Sequence, residues 1–299
     1  MRKIFESILK KENILENEPM CNHTTFKVGG CADWFLMPES EEQLSELLKV
    51  TEREKMPLFI LGNGSNLLVG DNGIRGAVVC LCKKMDRIYV DGNEIYAESG
   101  AVLSRVSNAA LAAGLSGIEF ASGIPGSMGG AIFMNAGAYE HELKEAVASV
   151  RYMDMSGNVF ELSCEECEFG YRSSVFSKNS FIILGCRLKL KPDNKEDIKA
   201  RIADYTNRRV AKQPLDKPSA GSTFKRPVGY FAGGLIEQSQ LKGYSIGGAQ
   251  VSEKHAGFII NTGNATARDV LDLIEYVQKV VFEKFGVMLE PEVKMVGDF

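Results

Sequence analysis

The 299-residue chain contains no run of about 18 consecutive apolar residues, so a membrane-spanning helix is not expected. Its opening, Met1-Arg-Lys-Ile-Phe-Glu, sets charges against the apolar residues where a secretory signal would need an unbroken hydrophobic segment. A cytoplasmic protein without membrane insertion is the expectation. An excess of positive charge is also missing: 35 Lys and Arg face 39 Asp and Glu, a net charge of −4. Such a chain has no global attraction for nucleic acid, so any anionic ligand must be met by a local basic cluster. No feature calls for an obligate protein partner. The odd number of cysteines, 7 spread over a long chain, argues for reduced thiols over a disulfide framework. Cys164-Glu-Glu-Cys167 alone has redox-like or metal-like spacing. It lacks a second such pair or a His pair, and its two glutamates would raise the thiol pKa values, so no metal site is expected. Repeats of fixed period and low-complexity tracts are absent.

What is present describes a soluble globular protein. Apolar residues make up 44% and charged residues 25%, and the length corresponds to about two domains. Ser40-Glu-Glu-Gln43 reads as a capping box opening a helix that carries Leu44, Leu47 and Leu48 on one face and stops before Pro57. Residues 58–61 read as a buried strand running into a glycine loop. Short β segments follow over 78–97, with a turn at Asp91-Gly92, then a helix over 101–113 closed by Gly114. Strands resume at 148–162 and 181–190. The polar, proline-containing stretch 191–195 is the best linker, Ile198, Ile202 and Tyr205 mark a helix after it, and a long helix opens near Thr266 and ends at Gly286. Strands and helices that do not strictly alternate indicate an α+β fold. The expected division is 1–193 and 194–299, the first lobe containing subdomains of about 1–75 and 76–193.

Two glycine-rich segments carry the chemistry. Gly62-Asn-Gly-Ser-Asn66 follows a strand, and successive exposed amides in such a loop can cradle phosphate oxygens; a tight hairpin turn is the plainer alternative. It is neither a dinucleotide fingerprint nor a Walker loop, because the third glycine and the Gly-Lys-Ser/Thr element are both missing. From Phe120 to Tyr139 no residue is charged and glycines stand at 123, 126, 129, 130 and 137. That much bare backbone needs hydrogen-bond partners if it is buried, and a large cofactor bearing a pyrophosphate would provide them.

The motifs ILGNGSNLLV, SGIPGSMGGAIFMNAGAYE, GYRSSVF, SAGSTFKRP and GVMLEPEVKMVG occur in that order. In this order and over most of its length the chain resembles the UDP-N-acetylenolpyruvoylglucosamine reductases (MurB), flavoproteins with a vanillyl-alcohol-oxidase (PCMH) type FAD-binding lobe and a C-terminal α+β substrate-binding domain. The short interval between GYR and SAGS leaves little room for the substrate-covering tyrosine insertion of the longer reductases, so the resemblance is to the shorter type. It implies non-covalent FAD held by Gly62, Asn63, Gly64, Ser65, Asn66, Leu67, Gly126, Ser127, Gly129, Gly130, Asn135, Gly137 and Ala138. It implies NADPH as hydride donor and, as substrate, a sugar nucleotide bearing an enolpyruvyl ether, in a step of peptidoglycan precursor synthesis.

The resemblance also implies roles residue by residue. Arg172 matches the arginine that binds the substrate carboxylate and steadies the enolate, a two-point contact that a guanidinium fork suits. Ser222 matches the proton donor to the carbon alpha to the carboxylate. Glu292 matches the third catalytic residue; Glu290, with the same parity along a strand, is set aside by the motif alone. Lys212 leads a basic cluster between Arg201 and Arg226 as the expected diphosphate contact. Arg226 stands where some relatives have Asn, and Gln250 and His255 are further candidate pocket residues. Catalytic residues on both sides of the 191–195 linker imply one site shared by two lobes. The alternatives are an oxidase of the same flavin fold, made less favourable by the absence of His from either glycine loop, and a noncatalytic sugar-nucleotide-binding module.

Overall fold

The computed structural model describes residues 1–299. Its largest sheet has five strands, all antiparallel, in the order Val159–Ser163, Val147–Met153, Ile182–Lys189, Glu94–Glu98, Ile88–Asp91. A four-stranded sheet is ordered Ile14–Pro19, Cys31–Leu36, Ile74–Cys80, Leu58–Leu61, its last pair parallel with Leu58 opposite Ala77. A three-stranded antiparallel sheet holds Ser245–Ile246, Ala249–Val251 and Ile259–Asn261. The α+β class expected from the sequence is the one observed.

The chain forms two compact units, and neither is contiguous. One comprises Met1–Glu16, Trp34–Asn63 and Gly76–Arg209; the other Asn17–Asp33, Gly64–Arg75 and Val210–Phe299. The last break between the units, after Arg209, falls later in the chain than the expected division at 193. The helix Lys195–Lys212 packs largely with the first unit because Arg201 bonds the buried Glu119 at 2.8 and 3.0 Å and Tyr205 stacks on Tyr139 at 4.6 Å. A polar, proline-containing stretch marks a break in regular structure and says nothing about which side the next helix will pack on.

The first unit has two apolar cores. One gathers Phe5, Leu36, Leu44, Leu47, Val79, Met153 and Ile182, the other Ile95, Val106, Phe120, Met128, Ile132, Val150, Phe176 and Cys186. Its helices begin and end largely as their sequences dictate. Glu41–Arg53 starts at Ser40, whose hydroxyl accepts from the Gln43 amide, but the Gln43 side chain reaches back to the Glu39 amide at 2.8 Å and leaves the reciprocal half of the box unmade. Leu103–Ala113 closes on Gly114 at φ +70°.

The second unit is organised around the helix Ala267–Phe285, whose Val270, Leu273, Ile274, Val277 and Val281 are fully buried. Burying each such side chain stabilises by about 1.5–3 kcal/mol, more than any cap, so packing of this stripe holds the unit together. The Thr266–Asp269 capping box is complete, and Gly286 at φ +67° ends the helix. Here Lys294–Val296 pairs in parallel with Leu67–Val69.

Candidate active site

In the first unit the two glycine segments meet. The strand Leu58–Leu61 delivers Gly62 and Asn63, and the Asn63 side chain donates to the Pro125 carbonyl at 2.7 Å. A Cβ on Gly62 would lie 2.5 Å from Ser127 Oγ, and one on Gly129 would lie 1.9 Å from Ser99 Oγ. These two glycines thus serve the close approach of one protein segment to another. The Ser127 hydroxyl accepts from the Gly130 amide at 3.3 Å and opens the short helix Met128–Phe133.

Around this junction the backbone has hydrogen-bonding capacity left over. The amides of Asn63, Gly123, Gly126 and Ser127 donate to no acceptor in the protein, although Ser127 is only 1% exposed. The Ser122 hydroxyl is buried and also without a partner. Orphaned buried donors of this kind are rare in folded proteins, and phosphate oxygens would satisfy them. The residues present therefore fit the pyrophosphate of a dinucleotide.

Arg172 belongs to the same unit. It sits in a tight turn in which the Gly170 and Ser173 amides and carbonyls bond reciprocally at 3.0 and 3.3 Å, and its φ of +52° lies in the left-handed region. Its guanidinium donates to the Gly137 carbonyl at 3.2 Å and lies 5.0 Å from the Tyr171 ring centroid. Gly137 and Ala138 pair with Glu142 and His141 in a two-residue ladder. Asn135, an expected cofactor contact, braces this region with its side chain. Fully buried at φ +44°, it donates to Glu142 Oε2 and the Gly170 carbonyl, each at 3.0 Å, and accepts from the Lys144 amide at 3.0 Å. Both side-chain N–H groups are used, so its side chain has no donor left for a ligand.

The second unit places Ser222 beside Glu292. Gly221 at φ +78° turns the chain so that Ser222 is exposed, and the Ser222 hydroxyl makes no hydrogen bond within the protein. The next residue, Thr223, is buried and anchored: its amide donates to the Gly257 carbonyl at 2.8 Å and its hydroxyl accepts from the Ile259 amide at 3.0 Å. The Thr223 carbonyl in turn accepts from the Glu292 amide at 2.8 Å. Thr223 is the positioning residue that sequence reasoning passed over, and nothing in its local pattern distinguishes it.

Asn66 is a strut in this unit. Its Nδ2 donates to the Glu292 carbonyl at 3.1 Å and its own carbonyl accepts from the Lys294 amide at 3.0 Å. Gly64, at φ +61°, is required sterically, since a Cβ there would sit 1.9 Å from the His23 carbonyl oxygen. Ser65 and Leu67 complete the loop and lead into the strand Leu67–Val69. Glu290 and Glu292 separate cleanly: Glu290 is exposed and paired with Lys225.

The expected substrate contacts diverge. Lys212 is exposed at the end of its helix, and the exposed Arg226 guanidinium stacks 3.9 Å from the Phe231 ring centroid. Gln250 is tied into its own hairpin, donating to the Gly243 carbonyl at 3.2 Å and Ser245 Oγ at 3.1 Å, so both its N–H groups are engaged. Burial lowers the His255 pKa, and its Nδ1 accepts from the Gly257 amide at 3.1 Å. A neutral ring protonated on Nε2 follows, and it braces the turn that holds Thr223. The thiol pair is inert by the same physics. Burial, with the charge of Cys164, pushes Cys167 up to about 12, and no group of His, Cys, Asp and Glu is arranged to hold a metal ion.

These features define a class. Residues 32–163 match the family model described as an FAD binding domain, and the chain is a flavin-dinucleotide protein with that domain and a second, C-terminal one. A likeness of fold alone, at 15% identity and TM-score 0.50, extends to a glucose oxidase variant of Phl p 4, over 96% of this chain and 63% of that one. Residues 213–296 match the family model of the UDP-N-acetylenolpyruvoylglucosamine reductase C-terminal domain. The UDP-N-acetylenolpyruvoylglucosamine reductase of Caldanaerobacter subterraneus subsp. tengcongensis is 55% identical, covering 98% of this chain and 97% of the relative. That of Clostridioides difficile is 52% identical, covering 98% and 96%. The crystal structure of the reductase (MurB) from Thermus caldophilus is 35% identical and superposes with a TM-score of 0.81 over 95% of this chain and 98% of that one. The chain belongs to the UDP-N-acetylenolpyruvoylglucosamine reductase family.

Proposed function

We propose that the chain catalyses the FAD-dependent, NADPH-consuming reduction of the enolpyruvyl group of UDP-N-acetylglucosamine-enolpyruvate to UDP-N-acetylmuramate, a step in peptidoglycan precursor synthesis. The observation that carries this reading is the Ser222 hydroxyl, exposed, unbonded and anchored through Thr223 next to Glu292, in a chain of this family.

A bound flavin would supply hydride chemistry at the methylene carbon of the enolpyruvyl group, with NADPH as the source of the electrons. Negative charge then develops on the carboxylate side of the former double bond, and the protein's task is to hold that charge and deliver a proton. Arg172, locked in a left-handed turn with one guanidinium nitrogen on the Gly137 carbonyl, binds the substrate carboxylate through its planar fork. Ser222 donates its hydroxyl proton to the carbon alpha to that carboxylate; the absence of any competing acceptor within the protein suits this role. Glu292, in its acid form, donates a hydrogen bond to the enolate oxygen. Lys212 and Arg226 supply positive charge for the diphosphate. Gly62, Asn63, Gly126 and Ser127 would hold the flavin pyrophosphate, with Gly64, Ser65, Leu67, Gly130, Gly137 and Ala138 in supporting contact. No helix is long and apolar enough to cross a membrane, and the nucleotide substrates place the enzyme in the cytoplasm in this proposal.

The test separates the two half-reactions. Purified protein should show oxidised-flavin absorption, NADPH should bleach it, and the enolpyruvyl sugar nucleotide should restore it. Ser222→Ala should leave bleaching by NADPH intact and slow recovery by roughly 10²–10⁴-fold, the span of general acid catalysis. Failure of the wild-type protein to bind flavin would overturn the function. Equal slowing of both half-reactions would overturn the role of Ser222.

A further inference from the structure

Among the basic residues of the helix Lys195–Lys212, Arg209 stands apart. Arg201 is bonded to Glu119 and Asp193, and Arg208 to Asp204. Arg209 is half-buried, faces no carboxylate, and its one hydrogen bond is donated by Nη1 to the carbonyl of Gly123. Burial depresses its pKa, which shows that its surroundings in the protein do not compensate the charge. Partly buried cations are ordinarily paired, because desolvating an isolated charge is expensive. An anion is the missing partner.

The surroundings say where that anion sits. Gly123 follows Ser122, whose buried hydroxyl lacks a partner, and precedes Gly126 and Ser127, whose amides are likewise unsatisfied. A Cβ on Gly123 would come within 3.1 Å of Arg209 Cδ, so the arginine stem is laid directly on this loop. The guanidinium has five N–H groups in a fixed fork, and one is spent on the Gly123 carbonyl. The others, the Ser122 hydroxyl and the free amides of Gly123, Gly126 and Ser127 together make a donor set with a positive charge and no acceptor. We propose that Arg209 and Ser122 form an anion site for the pyrophosphate of the bound flavin dinucleotide, with Arg209 as its counter-charge. This rests on the FAD-dependent reading above, and the segment lies within the residues that match the FAD-binding family model. A diphosphate from the sugar nucleotide would offer the same chemistry, and the test tells the two apart.

Apoprotein is titrated with FAD, following quenching of flavin fluorescence, and FAD-saturated protein is titrated calorimetrically with UDP. Arg209→Met should weaken FAD binding by about 10- to 150-fold, the loss of one charge-assisted hydrogen bond, and leave UDP affinity unchanged. Arg209→Lys should fall between, because the charge survives and the fork does not. Ser122→Ala should weaken FAD binding several-fold while leaving the melting temperature of the apoprotein unchanged or higher, since it removes an unsatisfied buried hydroxyl. That second variant decides the matter if Arg209→Met does not fold. Wild-type FAD affinity in Arg209→Met, a loss of UDP binding with FAD binding intact, or equal losses for both ligands would each overturn the proposal; so would unaltered FAD affinity in Ser122→Ala. A wild-type apoprotein that does not take up FAD would overturn the function itself, a different result.

Discussion

Replacing Asn135 by Ala should destabilise the protein by about 3–7 kcal/mol and loosen the turn that carries Arg172. The magnitude follows from the partners left behind. The Lys144 amide, which donates to Oδ1 of the fully buried Asn135 at 3.0 Å, has no other acceptor within the protein, and losing this bond with its donor unsatisfied costs about 1–3 kcal/mol. The other two bonds cost less. Glu142 keeps Lys144 Nζ at 2.9 Å, and the Gly170 carbonyl keeps the Ser173 amide at 3.3 Å, so each contributes about 0.5–1.5 kcal/mol. Alanine at φ +44° adds about 1 kcal/mol of backbone strain. At about 2 °C per kcal/mol for a chain of this size, the midpoint of thermal unfolding should drop by about 6–14 °C. Asn135→Gly separates the terms, because glycine tolerates the left-handed backbone and loses only the hydrogen bonds. It should recover about 1 kcal/mol relative to alanine, less its own gain in unfolded-state freedom. Kinetically, both variants should raise KM for the sugar nucleotide more than they slow flavin reduction by NADPH. A midpoint within about 2 °C of wild type, with KM unchanged, would refute the reasoning that Asn135 is a brace.

Three further outcomes are expected. Burial alone would raise the Glu119 pKa, but the Gly117 amide at 2.7 Å, together with Arg201 and Ser116, outweighs burial and holds it below the ordinary carboxylate value. Its contribution is therefore complete above the unfolded value of about 4.3 and lost as pH falls through the lower folded value, so the gap in urea midpoint between wild type and Glu119→Gln should narrow on acidification; a constant gap from pH 7 to 3 would contradict this. Thiol titration of the native protein at pH 8 should leave the buried Cys80, Cys167 and Cys186 unreacted until denaturant is added, and modification of Cys167 in the folded state would show the burial argument wrong. Thr266→Ala should cost about 1 kcal/mol, read as a shift in urea midpoint, through loss of the 3.0 Å bond to the Asp269 amide; no shift would mean that Asp71, which accepts from the Ala267 and Arg268 amides, caps that helix unaided.

What was legible in the amino-acid order was what neighbours along the chain decide. The Thr266 cap, the Gly114 and Gly286 stops and the helix face from Val270 to Val281 rest on contacts within a few residues, and all appear as expected. The meeting of the two glycine segments was also foreseeable, because unpaired amides on both demand a common partner. Long-range assignments were not. Asp71 caps a helix that begins 196 residues later, and no local pattern near either marks the pair. Asn135 and Gln250 sit in glycine-rich or polar contexts that look like ligand contacts, yet their amides are consumed by carbonyls and carboxylates brought in by the fold. Arg209 was hidden in the opposite way: one more cation in a basic helix, until the structure showed that its neighbours have carboxylates and it has none.

The parallel pairing of Leu67–Val69 with Lys294–Val296 has a consequence for biosynthesis. Asn66 and Glu292 are 226 residues apart. At about 5–20 residues per second a ribosome needs roughly 11–45 s to cover such a separation. Throughout that interval the nascent chain carries Leu68 and Val69, both fully buried in the finished protein, on a strand edge with no partner. A chaperone that shields this edge should therefore raise the yield of soluble enzyme more than a larger supply of flavin during translation, because the loop through Asn66 acquires its last hydrogen bonds only when residues 292–294 arrive.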